Sequence, residues 1–225
     1  MTHPPSSIRR FTRLAAVAAW ITIILRFYLA IRTSLADGTG IGGGIVTFLS
    51  YFTVLTNILV ALALAAGGFE PRRPAPRRPA FQVWQQPGVA TAIAVYITIV
   101  SVIYHLLLSQ LWDPQGLTKA VDVMLHSVMP VAYLVYWWFA IPKRQLQWRG
   151  AIVWLSYPVA YTVYTLLLGA VRDQYPYPFS NVNELGYIRV FLNSMGIFAL
   201  FAAVSLLLIG IGRRQAQRRQ KPRSL

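Results

Sequence analysis

Six apolar stretches of about twenty residues divide this chain, and no other feature restricts its fold as strongly. They cover 11–31, 45–66, 88–110, 121–140, 151–171 and 187–210. A helix rising about 1.5 Å per residue needs roughly 20 apolar residues to cross a bilayer. Only 12% of the 225 residues are charged and 56% are hydrophobic, with a mean hydropathy of +0.51. A soluble domain carries about twice that share of charge. The chain therefore reads as an all-α membrane protein, a six-transmembrane-helix bundle. Residues 1–10 form a short leading segment, 11–210 the bundle and 211–225 a basic tail expected to lack order. The first stretch is too long for a cleaved signal and lacks a small-residue cleavage site, so it is expected to stay as a span.

The formal charge of +15 invites a nucleic-acid reading, but its distribution argues against one. Basic residues fall in alternate connections: Arg9, Arg10 and Arg13; Arg72, Arg73, Arg77 and Arg78; Lys143, Arg144 and Arg149; then Arg213 to Arg223. Asp37, Asp113, Asp122, Asp173 and Glu184 fall on the opposite side. This is the positive-inside pattern, and with six spans it puts both termini in the cytoplasm. The basic rim faces anionic lipid headgroups, and no nucleic-acid partner is expected. Residues 67–87, with five prolines among arginines, read as an extended loop. On the outer side, 111–118 and 175–187 combine aromatics with turn residues and are placed to cap the mouth of a bundle.

Each span carries a polar group five or six residues from its outer end: Arg26, Ser50, His105, His126, Thr165 and Asn193. That depth is about 7.5 Å along a helix. Helical spacing extends each into a stripe. Thr22 precedes Arg26 by four residues, and Arg189 precedes Asn193 by four. Ser50, Thr53 and Asn57 form one stripe, and so do Thr98, Ser101 and His105. Tyr157, Tyr161, Tyr164 and Thr165 form another. Hydrocarbon rejects polar side chains, so the six stripes are expected to turn inward and meet.

Chemistry in that layer centres on His126. Asp122 lies one helical turn away and can accept a hydrogen bond from one ring nitrogen, leaving the other basic. Pro130 cannot bond back to the His126 carbonyl, which loosens the helix. A histidine oriented by an acid beside hydroxyls is the arrangement of a general base and its nucleophile. Ser50 and Thr53 are both candidates for that nucleophile. Arg26, Asn57 and His105 are candidate donors to an oxyanion or carboxylate. Tyr161, Thr165, Arg189 and Asn193 complete a candidate substrate-binding set. The chain has no cysteine, which excludes thiol nucleophiles and Cys-ligated metals. No metal is expected.

The segments FLSYFTVLTN (48–57), YHLLLSQLWDPQG (104–116), DVMLHSVMP (122–130), YPVAYTVYTLLLGA (157–170) and YPYPFSNVNELGY (175–187) resemble the bacterial six-helix membrane proteins of the Pr-six-Pr family. That resemblance implies a bacterial plasma-membrane protein. More distantly the chain is similar to the androgen-induced membrane proteins, which hydrolyse fatty acid esters of hydroxy fatty acids. Their essential Thr best matches Ser50, where Ser replaces Thr, or in another register Thr53, and their essential His, shortly before a Pro, matches His126. The chemistry so implied is hydrolysis of a lipid ester inside the membrane. The alternative is a lipid-binding or small-solute transport protein with the same cavity and no covalent step. His105 and His126 share a depth, as haem ligands would, but the resemblance gives haem no support and no cofactor is expected.

Overall fold

A computed structural model of the protein describes residues 5–69 and 79–218, and among these it is helical with no strand. Six helices are long and apolar enough to cross a membrane. Helix α1 (Ser6–Ala36) is followed by the short α2 (Gly40–Ser50) and by α3 (Phe52–Phe69). Helix α4 (Pro79–Gln85) leads into α5 (Pro87–Ile103), which continues as a π-helical turn, Tyr104–Leu108. Helix α6 (Gly116–Val123), a second π turn (Met124–Val128) and α7 (Met129–Ala140) run on from one another. Helix α8 (Gly150–Val153) and α9 (Ser156–Arg172) supply the fifth long segment. A 3-10 turn (Pro178–Ser180) precedes α10 (Val182–Arg218).

Helices α3 and α5 form the centre. Val60, Ala61, Ala63 and Leu64 of α3 and Ala94, Val95 and Ile97 of α5 are fully buried. Helix α1 packs mainly on α3, while α5 also meets α7 and α10. The buried face of α1 includes Ala15, Ala16 and Ala19, small side chains that let two backbones approach closely. The outward faces remain apolar: Leu106, Leu167, Val171 and Ile188 are all exposed. A surface of this kind is matched to hydrocarbon rather than to water.

The stretch 45–66, expected as one span, is two helices. The chain turns extended at Tyr51 (φ −86°, ψ 125°). Tyr161 of α9 donates to the Ser50 carbonyl at 2.7 Å, and the Tyr177 hydroxyl accepts from the Thr53 amide at 3.3 Å. Partners more than a hundred residues away thus replace the helical bonds lost at the break, and local hydropathy carries no sign of it. Helix α2 lies against the end of α1. The contact is close enough at Gly44 that a Cβ there would stand 3.0 Å from the Ile31 Cα.

Two other expectations change at the opposite end. The tail does not lose structure at 211, because α10 continues through Arg218. Arg213 helps to hold it, donating to the Leu146 carbonyl at 3.2 Å and lying over the Trp148 ring. Residues 219–225 lie outside the described residues. So does 70–78 of the proline-rich loop, whose remainder, Pro79–Gln85, is helical rather than extended.

Lys143 closes the end of α7. It is only 4% exposed. Its ammonium donates to the carbonyls of Trp137 (2.7 Å), Ile141 (2.9 Å) and Trp138 (3.1 Å). Helix C-termini leave such carbonyls unpartnered, and a cation there also opposes the helix dipole. Lys143→Met is expected to destabilise the fold by about 2 kcal/mol, the scale of a charge-assisted hydrogen-bond set. Denaturant unfolding in detergent checks this, and an unchanged midpoint would remove Lys143 from the account.

Candidate functional site

The two π turns place the site's side chains. In the first, the Ser109 amide bonds to the Tyr104 carbonyl, five residues back, at 2.8 Å. In the second, the Met129 amide bonds to the Met124 carbonyl. Pro130 has no N–H to offer the His126 carbonyl, so α-helical bonding is already interrupted there. A π turn inserts one residue and rotates everything beyond it by roughly 100° relative to an α-helix. Tyr104, the first residue of its turn, is buried, and His105 beside it is exposed.

His126 joins α3 to α6. Its Nε2 lies 3.4 Å from Thr53 Oγ1. Its Nδ1 lies 3.2 Å from the Asp122 carboxylate and 3.0 Å from the Asp122 carbonyl. With the ring proton on Nδ1, the imidazole donates to Asp122 and accepts from the Thr53 hydroxyl. The Tyr104 hydroxyl donates to the second carboxylate oxygen of Asp122. The Tyr104 ring also stacks on His126 at 3.8 Å and 11°. On the far side, the Tyr177 hydroxyl is 3.4 Å from Thr53 Oγ1. Asp122 is 4% exposed and Thr53 8%, so the array is largely shielded from outside. Its two ends, Tyr104 and Tyr177, were missed as site residues. From sequence both look like ordinary interfacial aromatics; the one available clue is that Tyr104 directly precedes His105.

Other expected site residues divide clearly. Ser50 donates to the Thr47 carbonyl at 2.7 Å and makes no hydrogen bond to His126. The break at Tyr51 destroys the stripe that would have aligned it with Thr53. Asn57 donates to the carbonyls of Thr53 (2.8 Å) and Leu125 (3.3 Å), tying α3 to the second π turn. Its amide nitrogen is therefore occupied and positions the site, while its Oδ1 is buried without a hydrogen-bond partner. His105 is exposed, with Nε2 3.1 Å from the Ser127 hydroxyl. Thr165 is buried and donates to the Tyr161 carbonyl at 3.1 Å. Arg189 and Asn193 are exposed, and Asn193 donates to the Phe179 carbonyl at 3.0 Å. The six stripes thus do not all converge: α10 buries Val190 and Phe201 instead, and its polar pair lies off that face.

A cavity of about 850 Å³ opens beside His126, within the range of small-molecule sites. Thr53, Tyr104, Asp122 and His126 form one part of its wall, and Arg26, Arg32 and Arg172 another. The Arg26 guanidinium also lies over the Tyr51 ring at 5.4 Å. The connections 111–118 and 175–187 both reach the cavity, through Trp112 and through Pro176 and Tyr177. The second is held by two local features. Asp173 ends α9 in the left-handed conformation (φ 58°), and the Tyr175 ring packs where Gly169 has no side chain. Among the described residues no three His, Asp or Glu side chains cluster as a metal site would require. No protein-family model, curated protein or solved structure matches the chain.

Burial pushes the Tyr177 hydroxyl above the ordinary tyrosine range, so it stays protonated beside Thr53 at neutral pH. A raised folded value means this tyrosine's contribution to stability is intact below about pH 10, the unfolded value. It is lost as pH rises from there through the folded value. Tyr177→Phe is expected to flatten part of that alkaline loss of stability. Thermal unfolding followed from pH 8 to 12 checks this; identical pH profiles for the two proteins would contradict it.

Proposed function

We propose that this chain is a multi-pass protein of the bacterial plasma membrane that hydrolyses a lipid ester, with Thr53 as nucleophile. The observation that carries the reading is the Thr53–His126–Asp122 array opening on a cavity of about 850 Å³. His126 Nε2 takes the Thr53 proton as Oγ1 attacks the ester carbonyl. The tetrahedral intermediate collapses, the alcohol leaves with the proton from His126, and water releases the acyl group by the same route in reverse. Asp122 fixes the imidazole tautomer and stabilises its charged form, as the third member of a triad does. The Tyr177 hydroxyl and the positive end of α3, whose first turn holds Thr53, are the nearest sources of oxyanion stabilisation.

The resemblance to the androgen-induced proteins implies the same chemistry, and the geometry favours Thr53 over Ser50. Both termini are assigned to the cytoplasm. The basic residues support this: Arg9 and Arg13 bind the Gly68 carbonyl, and Arg213 binds that of Leu146, so α1, the end of α3 and the end of α10 carry a common basic rim toward anionic headgroups. The arginines in the cavity wall favour a second reading, a carrier of an anionic lipid or solute without covalent chemistry.

Hydrolysis of chromogenic esters by the protein in nanodiscs separates the two. Thr53→Val and His126→Ala are each expected to lower kcat by about 10³-fold or more, and Asp122→Asn by about 10²–10⁴-fold. Ser50→Ala is expected to stay within about twofold of the parent, since it removes no member of the array. Turnover that survives both Thr53→Val and His126→Ala would end the hydrolase reading.

A further inference from the structure

Next to Thr53 lies a second, narrower space of about 80 Å³, between α5, α9 and α10. Thr53 and Tyr177 line both spaces, so the Thr53 hydroxyl stands in the partition between them. The two walls differ in chemistry. The large cavity presents Arg26, Arg32, Arg172, Asp122 and His126. The narrow cleft presents Ile99, Ile103, Leu166, Ile197, Phe198 and Phe201, and no charged side chain.

Besides Thr53 and Tyr177, five hydroxyl side chains line the cleft, but each donates to a main-chain carbonyl. Tyr161 bonds to Ser50 at 2.7 Å, Thr162 to Pro158 at 2.9 Å, Thr165 to Tyr161 at 3.1 Å, Ser180 to Tyr177 at 2.8 Å and Ser194 to Val190 at 2.8 Å. With those donors taken, a polar ligand entering the cleft would lose its hydration and gain little in return, at a cost of about 1–3 kcal/mol per group. A hydrocarbon chain loses nothing by entering. Length points the same way. The lining on α10 runs from Val190 to Phe201, about 16 Å at 1.5 Å per residue, a distance an extended hydrocarbon chain can follow.

We propose that the cleft between α5, α9 and α10 is the acyl subsite of the Thr53 centre, holding an extended acyl chain. The polar portion of the same ester lies in the arginine-lined cavity. The assignment rests on the hydrolase reading for its chemistry, but its chain-binding claim can be tested separately. It also orients the reaction. Thr53 Oγ1 bonds to the acyl carbon while the chain stays in the cleft. The alcohol oxygen leaves into the large cavity, carrying the proton that His126 took from Thr53. Side chains of α10 set chain length, because Ser194, Phe198 and Phe201 follow one another along the wall.

The test uses a diazirine-bearing long-chain acyl ester with the full-length protein in nanodiscs, and maps adducts by peptide mass spectrometry. Adducts are expected on Leu166 and Phe198, displaced by excess unlabelled long-chain ester. Ser194→Trp, which fills the cleft, is expected to remove them, and Thr53→Val is expected to retain them. Adducts confined to outward residues such as Leu167 and Leu192, or unaffected by Ser194→Trp, would overturn the assignment. In turnover, Ser194→Trp is expected to lower long-chain hydrolysis at least tenfold relative to acetyl-ester hydrolysis. Phe198→Ala, which widens the cleft and does not depend on Ser194→Trp folding, is expected to shift preference toward longer chains. Turnover with a chain-length profile unchanged by either variant would remove the cleft and leave the hydrolase. Cleft adducts without any turnover would remove the hydrolase and leave the chain-binding cleft.

Discussion

Inside a bundle of apolar helices, a backbone amide or carbonyl that leaves its helix must be bound by the protein itself. An unbound group costs about 1–3 kcal/mol. The break at Tyr51 frees such groups, and two tyrosines from distant parts of the chain bind them. Tyr161 takes the Ser50 carbonyl and Tyr177 the Thr53 amide. The rest of the site follows from this arrangement. Thr53 enters the first turn of α3 with its hydroxyl between Tyr177 and His126. Asn57, one turn on, clamps α3 to the carbonyl of Leu125 beside His126.

A second constraint acts on Asp122. A carboxylate that is 4% exposed is tolerated only when both oxygens are bound. One contacts His126 Nδ1 and the other accepts from Tyr104. Because Tyr104 also stacks on the imidazole, the three side chains fix one another. Tyr104 continues the buried stripe of Ile97 and Val100, at i, i+3 and i+7, so Tyr104 and not His105 reaches Asp122. Thr98, Ser101 and His105 lie one residue further round, on the less buried side of the helix.

Hydropathy was enough to read six long apolar helices, because burial in an apolar medium acts on composition over twenty residues at a time. The Asp122–His126 pair was readable from its spacing of four, since both lie on one face whether or not the turn is regular. What could not be read depended on partners remote in sequence. Spacing left Ser50 and Thr53 open and the family resemblance leaned to Ser50; the break between them separates their directions, and that break is stabilised from α9 and from the connection after it. His105, Arg189 and Asn193 were expected to face inward because hydrocarbon rejects polar groups. Instead the apolar stripe of Ile97 and Val100, with Tyr104, takes the buried face beside His105, and Val190 and Phe201 take that of α10. No spacing marks Arg32 or Arg172, yet they stand in the cavity wall with Arg26.

These features combine into a threonine held between a base and a phenol, at the boundary of a charged cavity and an apolar cleft. Each part matches one requirement of ester cleavage: an oriented base, a protected nucleophile, and separate places for the two halves of an amphiphilic substrate. Thr53 is the proposed nucleophile and His126 its activating base. Treatment of the folded protein with an activity-based fluorophosphonate, followed by peptide mass spectrometry of the adduct, tests this pairing. A single adduct on Thr53 that disappears in His126→Ala is expected. An adduct on Ser50, or one on Thr53 that forms equally well without His126, would contradict it.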